Sequence, residues 1–88
     1  SKMYEFIGKN FKYPASCKAA NIQGKVYVVF VVNKKGKVED VKVTQSVHPD
    51  LDAEVIRVVK KFPKWKPGKQ DGKKVKVRYT LPIKCSLN

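Results

Sequence analysis

Residues 73–87 carry the clearest pattern in the chain. Val75, Val77, Tyr79, Leu81, Ile83, Cys85 and Leu87 are apolar, and Lys74, Lys76, Arg78, Thr80, Lys84 and Ser86 between them are polar. Successive side chains of a strand point to opposite faces, so residues 73–87 predict one long strand with a buried face and a wet, basic face. Pro82 interrupts the polar row. A proline has no N–H to give to a neighbouring strand, which places this strand at the edge of its sheet or at a bulge. An edge strand exposes an unpaired row of backbone groups, and such a row is a natural docking line for an extended peptide.

The rest of the chain predicts the elements that pack against this strand. Met3, Phe6, Ile7 and Phe11 recur at helical spacing and predict a short helix, a lead-in over residues 1–10. It ends before Tyr13-Pro14, because a residue preceding proline avoids the helical region. Pro14 can open a second helix through Ala20 that stops near Gly24. Lys25 to Asn33 reads as a strand with Val26, Val28, Phe30 and Val32 on one face and Tyr27, Val29 and Val31 on the other. Both faces are apolar, which predicts a central position. Asn33-Lys34-Lys35-Gly36 is turn chemistry, and Lys37 to Thr44 is the returning strand, with Val41 and Val43 inward and Asp40, Lys42 and Thr44 outward.

Pro49 and Asp50 open a further helix. Asp50, Asp52 and Glu54 lie at its start and Lys60 and Lys61 at its end, matching the helix dipole at both termini. Leu51, Val55, Val58, Val59 and Phe62 form its apolar stripe, and Pro63 stops it. Trp65, Pro67 and Gly68 make an irregular, packed connection, and Gln70-Asp71-Gly72 turns into the last strand. The expected fold is α+β: a three-stranded antiparallel sheet with helices packed on one face. The strand order places Lys25–Asn33 in the centre and the last strand at an edge. Phe30, Val41, Val43, Val55, Val59, Phe62, Tyr79 and Leu81 are the expected core.

Size and charge narrow the classes. The 88 residues make one small domain, 1–88, and no apolar run is long enough to span a bilayer. Ser1-Lys2-Met3 reads as a processing scar, so an upstream anchor is compatible with this chain. The net charge of +13 suits anionic partners, but the lysines are dispersed over solvent faces rather than gathered into one arm. Nucleic acid would call for exposed stacking aromatics; Tyr27 and Tyr79 are the only candidates, both fit a packed sheet, and no recognition signature is present. The two cysteines, Cys17 and Cys85, are compatible with reduced core residues or with one bridge in an oxidising compartment.

Catalysis finds no support. His48 is the sole histidine and sits at a helix start, where a loop or capping role is expected. No serine or cysteine has a histidine at recognisable spacing, and one histidine with two distant cysteines makes a poor metal site. There is no phosphate-cradling glycine loop, and no cofactor is expected.

An ordered set of short segments carries a family resemblance. Tyr13-Pro14, Asn21-Ile22-Gln23-Gly24-Lys25-Val26 and Phe30-Val31-Val32-Asn33-Lys34-Lys35-Gly36 come first. Val41 and Val43, Leu51-Asp52 and Val55, Pro63-Lys64-Trp65-Lys66-Pro67-Gly68-Lys69 and Tyr79-Thr80-Leu81-Pro82-Ile83 follow. Together, from Phe11 onward, they resemble the C-terminal domain of the TonB energy transducers, and the stretch around Trp65 is most similar to versions from Bacteroides-type bacteria. The resemblance implies a periplasmic domain tethered to the inner membrane through an N-terminal anchor and driven by the inner-membrane motor proteins. Its partner would be the TonB box, a short extended peptide of an outer-membrane receptor, added beside the last strand to power nutrient uptake. Similar domains also occur in membrane sensors. A basic module gripping peptidoglycan or another anionic polymer is the alternative class, and strand exchange in a homodimer is compatible with an open edge.

Two expectations about residues follow. Backbone groups of consecutive strand residues alternate sides, and Pro82 is best tolerated facing the open edge. Lys74, Lys76, Arg78 and Thr80 then face it too, which makes these five the expected peptide-binding edge. Cys17 replaces what the family usually has as a small apolar residue, and Cys85 replaces an aromatic. Either these two form a disulfide, or they are separate core thiols.

Overall fold

The computed structural model describes residues 2–87. The elements run α1 (Lys2–Asn10), α2 (Ala15–Ala19), β1 (Gly24–Val32), β2 (Val38–Gln45), α3 (Pro49–Lys60), β3 (Gly68–Gln70), β4 (Lys73–Val75) and β5 (Val77–Cys85). The main sheet is antiparallel with the order β2-β1-β5, so the strand with two apolar faces is central and the last strand is an edge. β1 and β5 pair without a register shift from Gly24↔Cys85 to Val32↔Val77. β2 pairs less regularly: shifts fall between Tyr27 and Val28 and between Val29 and Val31, and Asp40 has a positive φ of 55° at the second of them. These are bulges, which bend a strand and spoil its free edge.

One strand is shorter than its alternation predicts. Residues 73–75 do not join the main sheet; they form β4 and pair with β3 in a separate two-stranded hairpin. Asp71 and Gly72, both at positive φ (52° and 76°), make its two-residue turn, the conformation that Asp-Gly favours. β3, Gly68-Lys69-Gln70, has no apolar alternation of its own, so nothing but the Asp71-Gly72 turn marks it in the sequence.

The core lies between the sheet's inner face and α3. Val26, Val28, Phe30 and Val32 of β1 face Leu51, Val55, Val58 and Val59 of α3, all at 0–1% exposure. Ile7 of α1, Phe62, Ile83 and Cys85 close its margins. Val41, Val43, Tyr79 and Leu81, expected to be largely buried, are packed against this core and half-buried. They belong to the two outer strands, and a single helix covers the central strand best. Beyond Lys60 an aromatic cluster continues the core: Phe62 meets Phe6, Phe30 and Trp65 edge-on, at centroid distances of 5.3, 5.6 and 5.5 Å.

The β1–β2 turn locks this cluster in place. Asn33 organises it: its side-chain oxygen accepts the N–H groups of Lys35 and Lys37 at 2.9 and 3.0 Å. Gly36 is buried at φ 84°, and its carbonyl accepts the Trp65 N–H at 2.8 Å. A Cβ at Gly36 would stand 2.1 Å from the Trp65 carbonyl oxygen. Gly36→Ala therefore adds a left-handed backbone penalty of about 1–2 kcal/mol and pushes the Trp65 segment off the turn. We expect a clear loss of stability with a red-shifted, more exposed Trp65 emission; native-like emission and an unchanged urea midpoint would contradict the packing.

The segment joining α1 to α2 is tied to α3 through one acid. Glu54 accepts Arg57 Nε at 2.7 Å and Arg57 Nη2 at 2.5 Å, and also the Lys12 N–H at 2.7 Å; Arg57 Nη2 further donates to the Asn10 carbonyl at 2.9 Å. The hydrogen bonds from Arg57 hold the Glu54 carboxyl below its ordinary value of 4.5. A carboxyl whose pKa is lowered by folding stabilises the fold above its unfolded value and loses that contribution as pH falls through the folded one. Acidification below 4.5 should thus weaken the native protein more steeply than Glu54→Gln, as read from urea midpoints at stepwise pH; parallel curves would show that the pair contributes nothing.

Candidate functional site: the free edge of β5

Two strands of the main sheet have an open side, and they differ. β2 is interrupted by two bulges, whereas β5 keeps one register over nine residues. Pro82 lies opposite Tyr27 in the β1–β5 ladder. Having no N–H, Pro82 cannot exchange both bonds with Tyr27, so its backbone faces away from β1. Its carbonyl indeed accepts a hydrogen bond from outside the sheet, from the Tyr4 hydroxyl of α1 at 3.3 Å. By alternation Arg78, Thr80 and Lys84 also present their backbone groups to the open side, while Val77, Tyr79, Leu81 and Ile83 bond to β1.

Lys74 and Lys76 lie outside β5. Lys74 is in the middle of β4, opposite Lys69, and Lys76 is the residue between the two strands. A two-residue turn joins Gln70 to Lys73, so Lys73 and Val75 bond to β3 and the backbone of Lys74 points away from it. The alternation continues across the break, with Val75 and Val77 half-buried and Lys76 exposed. Even-numbered backbones from Lys74 to Lys84 consequently share one orientation, in two strand segments rather than in one.

The side chains of these residues stand on the sheet face away from α3. That face has an apolar centre, Tyr27, Val29 and Val31, half-buried, and among the described residues no helix packs over it. A shallow groove of about 590 Å³ runs across it, lined among others by Val29, Val31, Lys42, Arg78 and Thr80. Lys76 reaches across to Glu39 on β2 at 3.1 Å, though 63% exposed. Glu39, held below its ordinary value first by the Lys76 hydrogen bond and then by Asn33, stays ionised. Of the aromatics considered for base stacking, Tyr79 is on the inner face, stacked on Phe30 at 5.6 Å.

The cysteines lie on the opposite side of the domain. Both are free thiols and buried, Cys17 at 0% and Cys85 at 2% exposure. Burial, then the charge of Asp52, then Cys17 raise the Cys85 thiol above its ordinary value. His48 is the N-cap of α3: its Nδ1 accepts the Asp50 N–H at 3.1 Å. The fold also brings His48 Nδ1 to 3.6 Å from Cys17 Sγ, with Asp50 beside them. Cys17 and His48 stand thirty-one positions apart in the chain, so no spacing rule reveals this cluster.

Residues 9–87 match the model of the Gram-negative bacterial TonB protein C-terminal family. Two solution NMR structures of the Helicobacter pylori TonB C-terminal domain are similar to this chain. A shorter segment has 28% identity and a TM-score of 0.76, covering 98% of this chain and 90% of that one. A longer segment has 27% identity and the same TM-score, covering 99% and 78%. No curated protein matches the chain.

Proposed function

The chain belongs to the TonB C-terminal domain family, periplasmic domains of Gram-negative TonB proteins that interact with outer-membrane receptors, and from that premise we propose that it captures a receptor's TonB box as an added strand along β5. The observation that carries this reading is the contrast between the two edges: β5 is unbroken and β2 is bulged twice. Arg78, Thr80 and Lys84 offer donors and acceptors to an incoming strand, and Pro82 offers a carbonyl alone. Main-chain bonds supply affinity in this mode, and alternate side-chain positions supply selectivity. The Lys76 and Lys74 segment extends the same line toward the β3–β4 hairpin.

The Tyr4 hydroxyl occupies part of this line, so a strand reaching Pro82 displaces it. The basic residues draw in acidic receptor residues, but exposed ion pairs add only about 0–1 kcal/mol each. Their main effect is on association rate and salt dependence. Tethered to the inner membrane and pulled by the motor proteins, such a strand pair transmits force along its length to the receptor and so drives nutrient uptake.

An amide NMR titration with an extended receptor-derived peptide tests the reading. Shifts should cluster on residues 76–84 and on Tyr4, and should persist at high salt. Shifts confined to β2 or α3 would rule out the β5 edge. Loss of all binding at high salt would favour an anionic-polymer module, because exposed charges are screened beyond about 10 Å at 0.1 M.

A further inference from the structure

We propose that Cys17, His48 and Asp50 form a binding site for a borderline divalent cation, Zn(II), at the junction of α2 with the start of α3. Their ligand atoms all lie within 4.8 Å of one another. Zinc bonds to sulfur at about 2.3 Å and to imidazole nitrogen at about 2.0–2.1 Å in a tetrahedral shell, which places S and N about 3.6 Å apart. Cys17 Sγ and His48 Nδ1 already stand 3.6 Å apart. Asp50 is exposed, so a rotation of its side chain closes the remaining gap. Its Oδ2 accepts the Ser16 hydroxyl at 2.5 Å, a hydrogen bond from α2 that steers the carboxylate toward the other two.

Chemistry favours the same occupant. The Asp50 N–H donates to Nδ1, which places the ring proton on Nε2 and makes Nδ1 the nitrogen with a lone pair to give to a metal. A thiolate, a carboxylate and a neutral imidazole sum to −2, which cancels the charge of Zn(II). On binding, the Cys17 S–H bond breaks, its proton leaves to solvent, and the sulfur pair forms the Zn–S bond. Imidazole and carboxylate donate lone pairs, and water takes the fourth position. The metal replaces the Asp50 N–H as partner of Nδ1, and that N–H at the exposed start of α3 turns to solvent.

The test is a Co(II) titration of the protein, reduced with a non-coordinating phosphine, followed by Zn(II) displacement. The expected result is a thiolate-to-cobalt charge-transfer band with intense tetrahedral d–d bands, at one equivalent, bleached by Zn(II). Cys17→Ser should abolish the charge-transfer band, and Cys85→Ala should leave it unchanged. His48→Asn keeps a strong helix cap but removes the imidazole, and should weaken Co(II) binding at least tenfold while circular dichroism stays native. Zn(II) should raise Tm in the unsubstituted protein and not in Cys17→Ser or His48→Asn. The proposal is overturned by absence of a thiolate band at millimolar Co(II), by its survival in Cys17→Ser, or by its loss in Cys85→Ala.

Discussion

Arg78→Pro should abolish binding of an extended receptor peptide while leaving the domain folded. The Arg78 backbone faces away from β1, so a proline there removes one edge donor without breaking a bond of the β1–β5 ladder. The domain already tolerates this chemistry four residues on, at Pro82, in the same orientation. Two carbonyl-only positions with Thr80 alone between them leave an incoming strand too few donors to pair with. Calorimetry should detect no binding, with circular dichroism and urea midpoint close to those of the native protein. Tyr79→Pro is the contrast: its N–H serves the ladder to β1, so it should lose the fold. Arg78→Ala, which keeps the N–H, should change salt dependence and association rate far more than final affinity. If Arg78→Pro binds like Arg78→Ala, main-chain pairing at β5 is excluded.

Phe30→Ala should cost about 3–5 kcal/mol of stability, the range for removing a buried aromatic. Phe30 is at 0% exposure on the central strand and touches the two halves of the aromatic cluster, edge-on to Phe62 and stacked on Tyr79. Deleting its ring leaves a cavity between sheet and α3 that neither a nine-residue strand nor a twelve-residue helix can collapse into without losing register. A domain of this size has little stability to spare, so the variant should be largely unfolded at 37 °C. Val31→Ala, the next residue and on the opposite, helix-free face, should cost about 1 kcal/mol or less. Equal urea midpoints for the two variants would mean that the core is not where the structure puts it.

Both expectations depend on a division between the two faces of β1 that is only half written in the chain. Tyr27, Val29 and Val31 are as apolar as Val26, Val28 and Phe30, so periodicity predicts a central strand but not which face the helix covers. The stripe on α3 settles it, because Leu51, Val55, Val58 and Val59 can bury only against one face. The candidate site is divided in the same way. Pro82 marks the edge by a covalent fact, the missing N–H, and parity carries that mark to Arg78 and Thr80. Lys74 and Lys76 follow the same parity, yet the alternation does not show that β4 leaves the main sheet, since side-chain period is identical in both hairpin and sheet. The Asp71-Gly72 turn was the signal that separates them.

What the sequence determined by itself are the properties that neighbours along the chain impose on each other. These are the alternation of β1 and β5, the apolar stripe and charged ends of α3, the Asn33–Gly36 turn, the end of α1 before Pro14, and an edge at Pro82. Each follows from backbone sterics or from a period of two or 3.6 residues, and needs no knowledge of what lies across the fold. Tertiary structure alone decided which residues meet from a distance. It brought the Trp65 carbonyl onto Gly36, Lys76 over the sheet to Glu39, the Tyr4 hydroxyl onto the Pro82 carbonyl, and His48 to Cys17. Such contacts arise because packing α3 on one sheet face fixes the positions of every turn and terminus around it, and no local period encodes that arrangement.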